Sequence, residues 1–307
     1  PVTIDMPTLQ KSFQWLLNRH PALRSVYPSK EGEPILRVLP DSVLDVLHQD
    51  ASGWSASQLT QAIDAFSLAD FDLANGPLMR LAHFSGLSDG AHVLVVNIHH
   101  IAIDQWSLLL MLDELDHCYR AVLTDQAPTL AELTFSYSDY VYWQSQMLAS
   151  PEGDRLLAYW KQELEGCEGV LELPADHSRP SVQSYTGAAY AFQVDDKLTG
   201  QLRELAKENS ATLYMLLLAS FQLLLFRYTR HSRQRDILVG SPAAGRNRAG
   251  LENLVGYFVD PIVLRARFSD DLSFKELLAA VRETVFQALK HQHYPFSLLV
   301  EKLKIPR

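Results

Sequence analysis

Two spacings of hydrophobic and polar residues recur along this chain, and they predict alternating helices and strands. Residues 8–20 (TLQKSFQWLLNRH) show a helical spacing of apolar positions, which are Leu9, Phe13, Leu16 and Leu17. Apolar or alternating runs predict strands at EPILRVL, LMRLAHFS and residues 91–100 (AHVLVVNIHH), and later at AYAFQV, DILVGS and DPIVLRARF. A further helix is predicted to begin at Ser273, because Glu276 three residues on gives a capping-box spacing. Since both halves alternate in this way, the predicted fold class is α/β.

The stretch VVNIHHIAIDQWSLL joins the strand predicted over residues 91–100 to a helical pattern. Neighbouring residues of a strand point to opposite faces, so His99 and His100 are predicted to face different surroundings. Past Asp104 the apolar spacing becomes helical, which predicts an inner face made of Leu108, Met111, Leu112 and Leu115. The two histidines and the aspartate are therefore predicted to lie on a strand, a tight turn and the first turn of a helix.

A polar segment with two prolines interrupts the regular pattern and predicts a linker at residues 174–184. The length of 307 residues is enough for two domains of roughly 150 residues each. We therefore expect an N-terminal unit of residues 1–173 that carries the histidine stretch, and a partial C-terminal unit of residues 185–307. Because the chain opens on Pro1, we expect it to be a piece of a longer protein.

Charge and composition narrow the possible partners. The net charge of -9 argues against a nucleic-acid surface. The most apolar run, residues 213–226, is shorter than the roughly 20 residues that a membrane span needs, so no membrane is expected. Cys118 and Cys167 lie far apart without metal spacing. This pattern indicates a reducing, cytoplasmic compartment and no disulfide framework.

The histidines suggest proton transfer, with a metal site and a packed core histidine as the alternatives. A neutral imidazole accepts a proton from an attacking amine or hydroxyl, and N–H groups at a helix start steady an oxyanion. The G-x-S-x-G spacing at residues 86–90 (GLSDG) lies between two predicted strands and not between a strand and a helix, so it predicts no serine nucleophile elbow. Direct acyl transfer is therefore the chemistry predicted. A metal site is disfavoured because His99 and His100 are predicted to point apart, and no HExxH or CxxC is present. On these residues alone, a hydrogen-bonded histidine in the core remains the commoner arrangement.

A family resemblance favours the catalytic histidine over the histidine packed in the core. HHIAIDQWS resembles the HHxxxDGxS signature of condensation domains of nonribosomal peptide synthetases. Further stretches are similar to family motifs in the same order: RHPALRSVY, YSDYVYW, VGSPAAGRNRAGLENLVGYF, VGYFVDPIVLR and HQHYPFSLLVEKL. The resemblance implies two chloramphenicol-acetyltransferase-like lobes that form a V-shaped pseudo-dimer with a central tunnel, the second lobe being incomplete here.

The resemblance also implies an activity and residue roles. The activity is amide formation between a carrier-bound acyl thioester and a carrier-bound aminoacyl group, both held on phosphopantetheine, with no cofactor bound directly and no metal. His100 would position or deprotonate the acceptor amine, His99 would be structural, and Asp104 would pair with Arg24. Motif residues with structural roles would include Gln105, Trp106 and Ser107. Residues expected to line the tunnel or contact substrate are Tyr137, Gly256, Phe258 and Asp260. The expected partners are donor and acceptor carrier proteins and neighbouring synthetase or synthase modules.

The chain departs from the family pattern at several positions. Gln105 replaces the usual glycine after the motif aspartate, and Asp260 and Pro261 replace the usual Asn-Thr. These changes resemble condensation domains at polyketide–peptide junctions, which implies a hybrid subtype. The opening SxAQxRxW and closing RDxSRNPL motifs are absent, so about a third of a typical domain is expected to be missing.

Related activities remain as alternatives. An epimerisation domain shares the histidine motif, although no EGHGRE-like stretch is found. A non-catalytic platform that recruits partner enzymes is disfavoured because both histidines are kept. Heterocyclisation domains carry two aspartates in place of the histidines, and plant-type acyltransferases carry a DFGWG-like stretch, so neither matches.

Overall fold

The structure is a computed structural model that describes residues 5–88, 90–167, 170–178, 180–182, 184, 187–229 and 234–303. Its chain divides into two compact units. The first comprises Pro1–Trp143 and Arg246–Val259, and the second comprises Gln144–Gly245 and Asp260–Arg307. Positions 179 and 183 of the predicted linker lie outside the described residues, as do residues 230–233 and 304–307.

The first unit contains a three-stranded sheet and the helices around it. Its helices are α1 (Met6–Arg19), α2 (Ala56–Leu68), α3 (Gln105–Leu123) and the first part of α4 (Tyr137–Leu148), and its 3-10 turns are Pro21–Arg24 and His100–Ala102. Its strands are β1 (Ser25–Val26), β2 (Ser29–Lys30), β3 (Glu33–Pro34), β4 (Arg37–Val38), β5 (Asp45–Asp50), β6 (Met79–Ser85) and β7 (Val93–Ile98). The sheet order is β5-β6-β7, with β5 parallel and β7 antiparallel to β6, and β1–β4 and β2–β3 form small antiparallel pairs.

Helix α1 forms as the apolar spacing predicts. It begins at Asp5, whose carboxylate accepts a hydrogen bond from the Thr8 N–H at 2.9 Å. The four apolar residues predicted to share a face are all buried in it. They pack against β6 and α3 in a core whose other members include Leu78, Leu81 and Met111. This packing holds the start of α3, where the histidine stretch ends, against the rest of the unit.

The second unit is built on a two-stranded antiparallel sheet of β8 (Asp236–Ala243) and β9 (Asp260–Arg267). Its helices are α5 (Pro151–Glu163), α6 (Asp196–Glu208), α7 (Leu213–Tyr228), α8 (Phe274–Lys290) and α9 (Phe296–Leu303). The core joins α5, α7, β9 and α8 through fully buried side chains, among them Trp160, Leu216, Leu264 and Val281. The capping box predicted at the start of α8 is present, because the Ser273 N–H donates to Glu276 Oε2 at 2.9 Å and the Glu276 N–H donates to Ser273 Oγ at 3.3 Å.

Several predicted boundaries differ from the structure. AYAFQV (residues 189–194) is not a strand, and two of its side chains, Tyr190 and Phe192, are 90% and 77% exposed. A strand needs a neighbouring strand for its backbone hydrogen bonds, and none pairs with this segment in the part of the chain described. EPILRVL forms only β3 and β4, of two residues each. The units also differ from the predicted domains, because α5 packs into the second core and residues 246–259 belong to the first unit.

No single helix among the described residues is both long and apolar enough to span a membrane. Only α6 and α7 taken together reach the required length and apolarity, and they are bent by 99° at the break between them. The apolar run predicted at residues 213–226 corresponds to α7.

Candidate active site

His100 lies just after the end of β7, in a short turn. The strand was predicted to reach residue 100 but ends at Ile98, and His99 begins the 3-10 turn of His100–Ala102. The difference in direction between the two histidines therefore comes from the turn and not from strand alternation. The His99 N–H makes the last ladder bond, to the Leu78 carbonyl at 2.9 Å.

The two imidazoles have different surroundings. His99 Nδ1 accepts a hydrogen bond from the Ile101 N–H at 3.0 Å, and its ring meets Phe71 edge to face, with 5.5 Å between ring centroids. These contacts tie His99 to its own turn. The exposed His100 ring meets Tyr257 edge to face at 5.1 Å between centroids.

A backbone carbonyl sets the tautomer of His100. Its Nδ1 lies 2.7 Å from the carbonyl oxygen of Ile103. A carbonyl only accepts, so we assign the proton of the neutral ring to Nδ1, which donates this bond. The lone pair is then on Nε2, the nitrogen that can take a proton from a substrate.

Asp104 starts helix α3 and is the centre of a buried network. Its Oδ1 accepts from the Ser107 N–H at 2.8 Å, and its Oδ2 accepts from the Phe258 N–H at 3.1 Å. Arg246 Nη2 lies 3.0 Å from Oδ1 and 3.2 Å from Oδ2. The side chains of this ion pair are 4% and 2% exposed. Asp104 therefore caps the helix and holds the 256–258 segment at the same time.

The predicted pairing of Asp104 with Arg24 is wrong. Arg24 Nη1 donates to the Leu39 carbonyl at 2.5 Å, and Nη2 donates to the Asn18 carbonyl at 3.4 Å. Arg24 lies in the turn between α1 and β1, so its guanidinium bonds local backbone. The arginine of the site is Arg246, to which sequence reasoning gave no role, although it lies in the GRNR part of a stretch that matched the family.

Arg246 also binds backbone, and its charge is shielded from solvent. Nη1 donates to the carbonyls of Leu251 and Leu254, each at 2.7 Å, and the guanidinium lies 4.1 Å from the centre of the Phe258 ring. Burial lowers the pKa of Arg246, and the charge and hydrogen bonds of Asp104 oppose that shift. Arg246 thus ties α3 to the loop at residues 246–258.

Ser107 connects the same network to Gly256. Its Oγ donates to the Gly256 carbonyl at 2.9 Å and accepts from the Gly256 N–H at 3.1 Å and from Arg246 Nη2 at 2.6 Å. A Cβ on Gly256 would come within 2.4 Å of the Tyr137 ring. Glycine is therefore required there for the close approach of the chain to α4.

The remaining predicted site residues fall into two groups. In the first unit, the Tyr137 hydroxyl donates to the Tyr257 carbonyl at 2.8 Å, Phe258 is buried against Tyr137, and Trp106 Nε1 donates to the Glu252 carbonyl at 2.9 Å. Burial raises the pKa of Tyr137, which keeps this hydroxyl protonated as a donor. Asp260 lies in the second unit, where its carboxylate accepts from the Phe296 N–H at 2.9 Å, and burial raises its pKa to about 6.

A cavity of about 400 Å³ opens beside His100, and all of its lining belongs to the first unit. The lining residues are Val96, Asn97, Ile98, His100, Ile103, Asp104, Gln105 and Leu108. Within the described ranges, no group of three or more His, Cys, Asp or Glu side chains has the geometry to hold a metal ion. The exposed base on Nε2, the cavity and the first turn of α3 together form a site suited to acyl transfer.

Comparison with known proteins identifies the family of this chain. The family model described as Condensation domain matches residues 1–307. The chain belongs to the condensation domain family. Condensation domains of synthetases are amide-forming acyltransferases that act on substrates carried on phosphopantetheine and use no cofactor of their own. Their fold, of chloramphenicol-acetyltransferase type, is the mixed helix and sheet arrangement found here. The α/β class predicted from the sequence is thereby confirmed.

The chain spans only a small part of the length of the curated relatives that it matches. It is 40% identical to a subunit of the linear gramicidin synthase of Brevibacillus parabrevis, over 99% of its own length and 6% of the length of that relative. It is similar to the X-domain from teicoplanin biosynthesis, solved alone (TM-score 0.89) and in complex with OxyB (TM-score 0.86), with 26% identity. These alignments cover 99% of the chain and 67% and 66% of the solved chains. The chain is also similar to the condensation domain from the Monacolin K polyketide synthase MokA, with 21% identity and a TM-score of 0.80. The alignment covers 99% of this chain and 70% of the solved chain, and at this identity it shows the fold alone.

Proposed function

We propose that this chain joins an acyl thioester on one carrier protein to the amine of an aminoacyl group on a second carrier protein. The hydrogen bond from His100 Nδ1 to the Ile103 carbonyl carries this proposal, because it leaves Nε2 free to meet the acceptor amine. The exposure of His100 and the cavity beside it support access for a substrate. The predicted V shape and central tunnel stay predictions.

The proposed reaction balances without a covalent enzyme intermediate. The acceptor nitrogen attacks the thioester carbonyl carbon, the new C–N bond forms, and the C–S bond breaks. The proton lost from nitrogen passes to His100 Nε2, or is held there by a hydrogen bond, and ends on the departing phosphopantetheine thiol. N–H groups in the first turn of α3 lie at the positive end of the helix, where they favour the negative charge that develops on the carbonyl oxygen.

We propose, from the sequence departures, that the acyl donor is a polyketide or a related carboxylic acid. Gln105 lines the cavity beside His100, where the family pattern has a glycine. Asp260 stands where the pattern has an asparagine and binds the N-terminus of α9. Partners from neighbouring modules, a cytoplasmic location and the polyketide donor remain predictions that rest on the sequence.

A platform function is the second candidate, because the X-domain is solved in complex with OxyB and shares this fold. On that alternative the chain binds a partner enzyme and His100 takes no part in a reaction. The contacts that orient His100 and leave Nε2 accessible favour catalysis.

The test is amide formation from a loaded donor carrier and a loaded acceptor carrier, followed by mass spectrometry of the product. We expect His100→Ala to lower the rate by about 10²–10⁴-fold, the range typical of lost general-base catalysis. His117→Ala, an exposed histidine on α3, is the matched control and should leave the rate unchanged. Equal rates for wild type and His100→Ala would overturn the proposed role of His100, and no product from wild type would favour the platform.

A further inference from the structure

The cavity beside His100 has an aliphatic lining without an unpaired charge. Val96, Ile98, Ile103 and Leu108 supply its apolar side chains. The charged group in the lining, Asp104, is neutralised by Arg246. The cavity therefore suits an uncharged hydrocarbon group, which covers the exposed apolar area of Val96 and Leu108, whereas an ion would lose part of its hydration without gaining a partner.

The cavity is formed by the end of β7 and the first turns of α3. Val96 and Ile98 lie two residues apart on β7 and so share one side of the strand. Gln105 and Leu108 lie three residues apart on α3 and so share one helix face. The Asn97 amide is turned away, since its Nδ2 donates to the Phe66 and Ser67 carbonyls. Gln105 is thus the residue of the lining that adds an uncharged amide beside His100.

We propose that this cavity binds the side chain of the aminoacyl acceptor and selects aliphatic amino acids. The inference rests on the proposed function, in which the acceptor amine meets Nε2 of His100. The amine is bonded to the α-carbon that also bears the side chain, so that side chain lies within two bonds of the nitrogen held at His100. A group in this position enters the space that His100 itself lines.

The expected selectivity follows from burial of apolar area. Each methylene moved from water into such a cavity favours the larger acceptor by about fourfold. We therefore expect kcat/KM for a leucyl acceptor to exceed that for a glycyl acceptor by roughly 10–100-fold. Aspartyl and lysyl acceptors should be used least, because their charges find no partner in the cavity.

The experiment measures kcat/KM with one fixed donor and glycyl, valyl, leucyl, aspartyl and lysyl acceptor carriers, in the protein that carries this chain. Leu108→Asp introduces a charge into the lining, and Leu109→Asp introduces the same charge one residue further on α3, outside the lining. The two leucines are 43% and 61% exposed, so we expect both variants to fold. We expect Leu108→Asp to lower the leucyl-to-lysyl ratio by tenfold or more, and Leu109→Asp to leave it unchanged.

The possible outcomes separate this inference from the proposed function. Amide formation at equal efficiency from all five acceptors would overturn the inference and leave the proposed function standing. The inference is also overturned if Leu108→Asp changes preference among donors instead of acceptors, since the cavity then holds the donor chain. Absence of amide product from every acceptor in the wild type would overturn the proposed function and with it the inference.

Discussion

Arg246 Nη2 lies 3.0 Å from Asp104 Oδ1 and 2.6 Å from Ser107 Oγ, so one guanidinium nitrogen binds two residues of the motif helix. The arginine comes 142 residues after the aspartate. Because Asp104 and Ser107 also bind Phe258 and Gly256, the network fixes the backbone on both sides of Tyr257, whose ring contacts His100. The buried Asp104–Arg246 pair thus positions Tyr257, whose ring contacts His100.

Loss of one partner of this ion pair is expected to destabilise the protein strongly. Asp104→Ala leaves the Arg246 charge buried and unpaired, and Arg246→Ala leaves the Asp104 charge in the same state. We expect each change to lower the free energy of unfolding by about 3–5 kcal/mol, measured by urea denaturation. Asp116→Ala is the control on the same helix. Its partner is Arg120, the two side chains are 56% and 77% exposed, and the expected change is below about 1 kcal/mol.

A double-mutant cycle distinguishes the observed partner from the one predicted by the family resemblance. Asp104→Ala and Arg246→Ala should show a coupling energy of about 0.5–3 kcal/mol, because the two side chains are in direct contact. Asp104→Ala and Arg24→Ala should be additive, since Arg24 binds backbone carbonyls instead. Strong coupling in the Arg24 cycle, with additivity in the Arg246 cycle, would contradict the network described.

Tyr257 is expected to position His100 through its ring. The two rings are 5.1 Å apart and nearly perpendicular, at 85°. Such contacts are worth about 0.5–1.5 kcal/mol, which corresponds to a change of roughly 2–10-fold in kcat if the contact orients the base. We therefore expect Tyr257→Ala to lower kcat by that factor and Tyr257→Phe, which keeps the ring, to retain the wild-type rate.

The pH profile of kcat shows whether Tyr257 acts through His100. If the ring holds the imidazole, Tyr257→Ala should shift the pH at which kcat falls to half, and Tyr257→Phe should not. Tyr142→Ala removes a tyrosine that is 69% exposed on α4 and serves as the control. A lower kcat with an unchanged profile would mean that Tyr257 contributes to binding or folding and does not position His100.

The local part of the site could be predicted from the sequence, and the distant part could not. The apolar spacing of α1, the capping box of α8 and the helix that starts after Asp104 depend on residues within one or two turns. The partner of Asp104 depends on how a loop at residues 246–259 returns to the first unit. No spacing rule within the chain distinguishes Arg246 from Arg24 for that role.

The end of β7 shows a second limit of sequence patterns. The pattern of residues 91–100 predicts a strand that runs two residues past Ile98, where β7 ends. The last backbone bond of the ladder is made by the His99 N–H, and the chain then turns so that the Ala102 N–H donates to the His99 carbonyl at 3.0 Å. The spacing of apolar side chains does not show where the neighbouring strand stops supplying backbone hydrogen-bond partners. The two imidazoles therefore differ because the chain turns after His99, and not because strand neighbours alternate.

The final prediction concerns Asp260 and the pH dependence of stability. Burial raises its pKa from 3.8 to about 6 in the folded protein, and the Phe296 N–H opposes that shift. Between these two pH values the folded protein keeps a proton that the unfolded chain has released, so this group's contribution to stability falls as the pH rises from about 4 to 6. Asp260→Asn removes the titration, and its amide oxygen can still accept from Phe296. We therefore expect Asp260→Asn to gain stability relative to wild type as pH rises, measured by urea unfolding at pH 4 and pH 7.

Asp271→Asn, which removes an exposed charge from the same unit, is the control for the change in net charge. A difference between Asp260→Asn and wild type that stays constant across this range would show that the carboxyl of Asp260 does not titrate there.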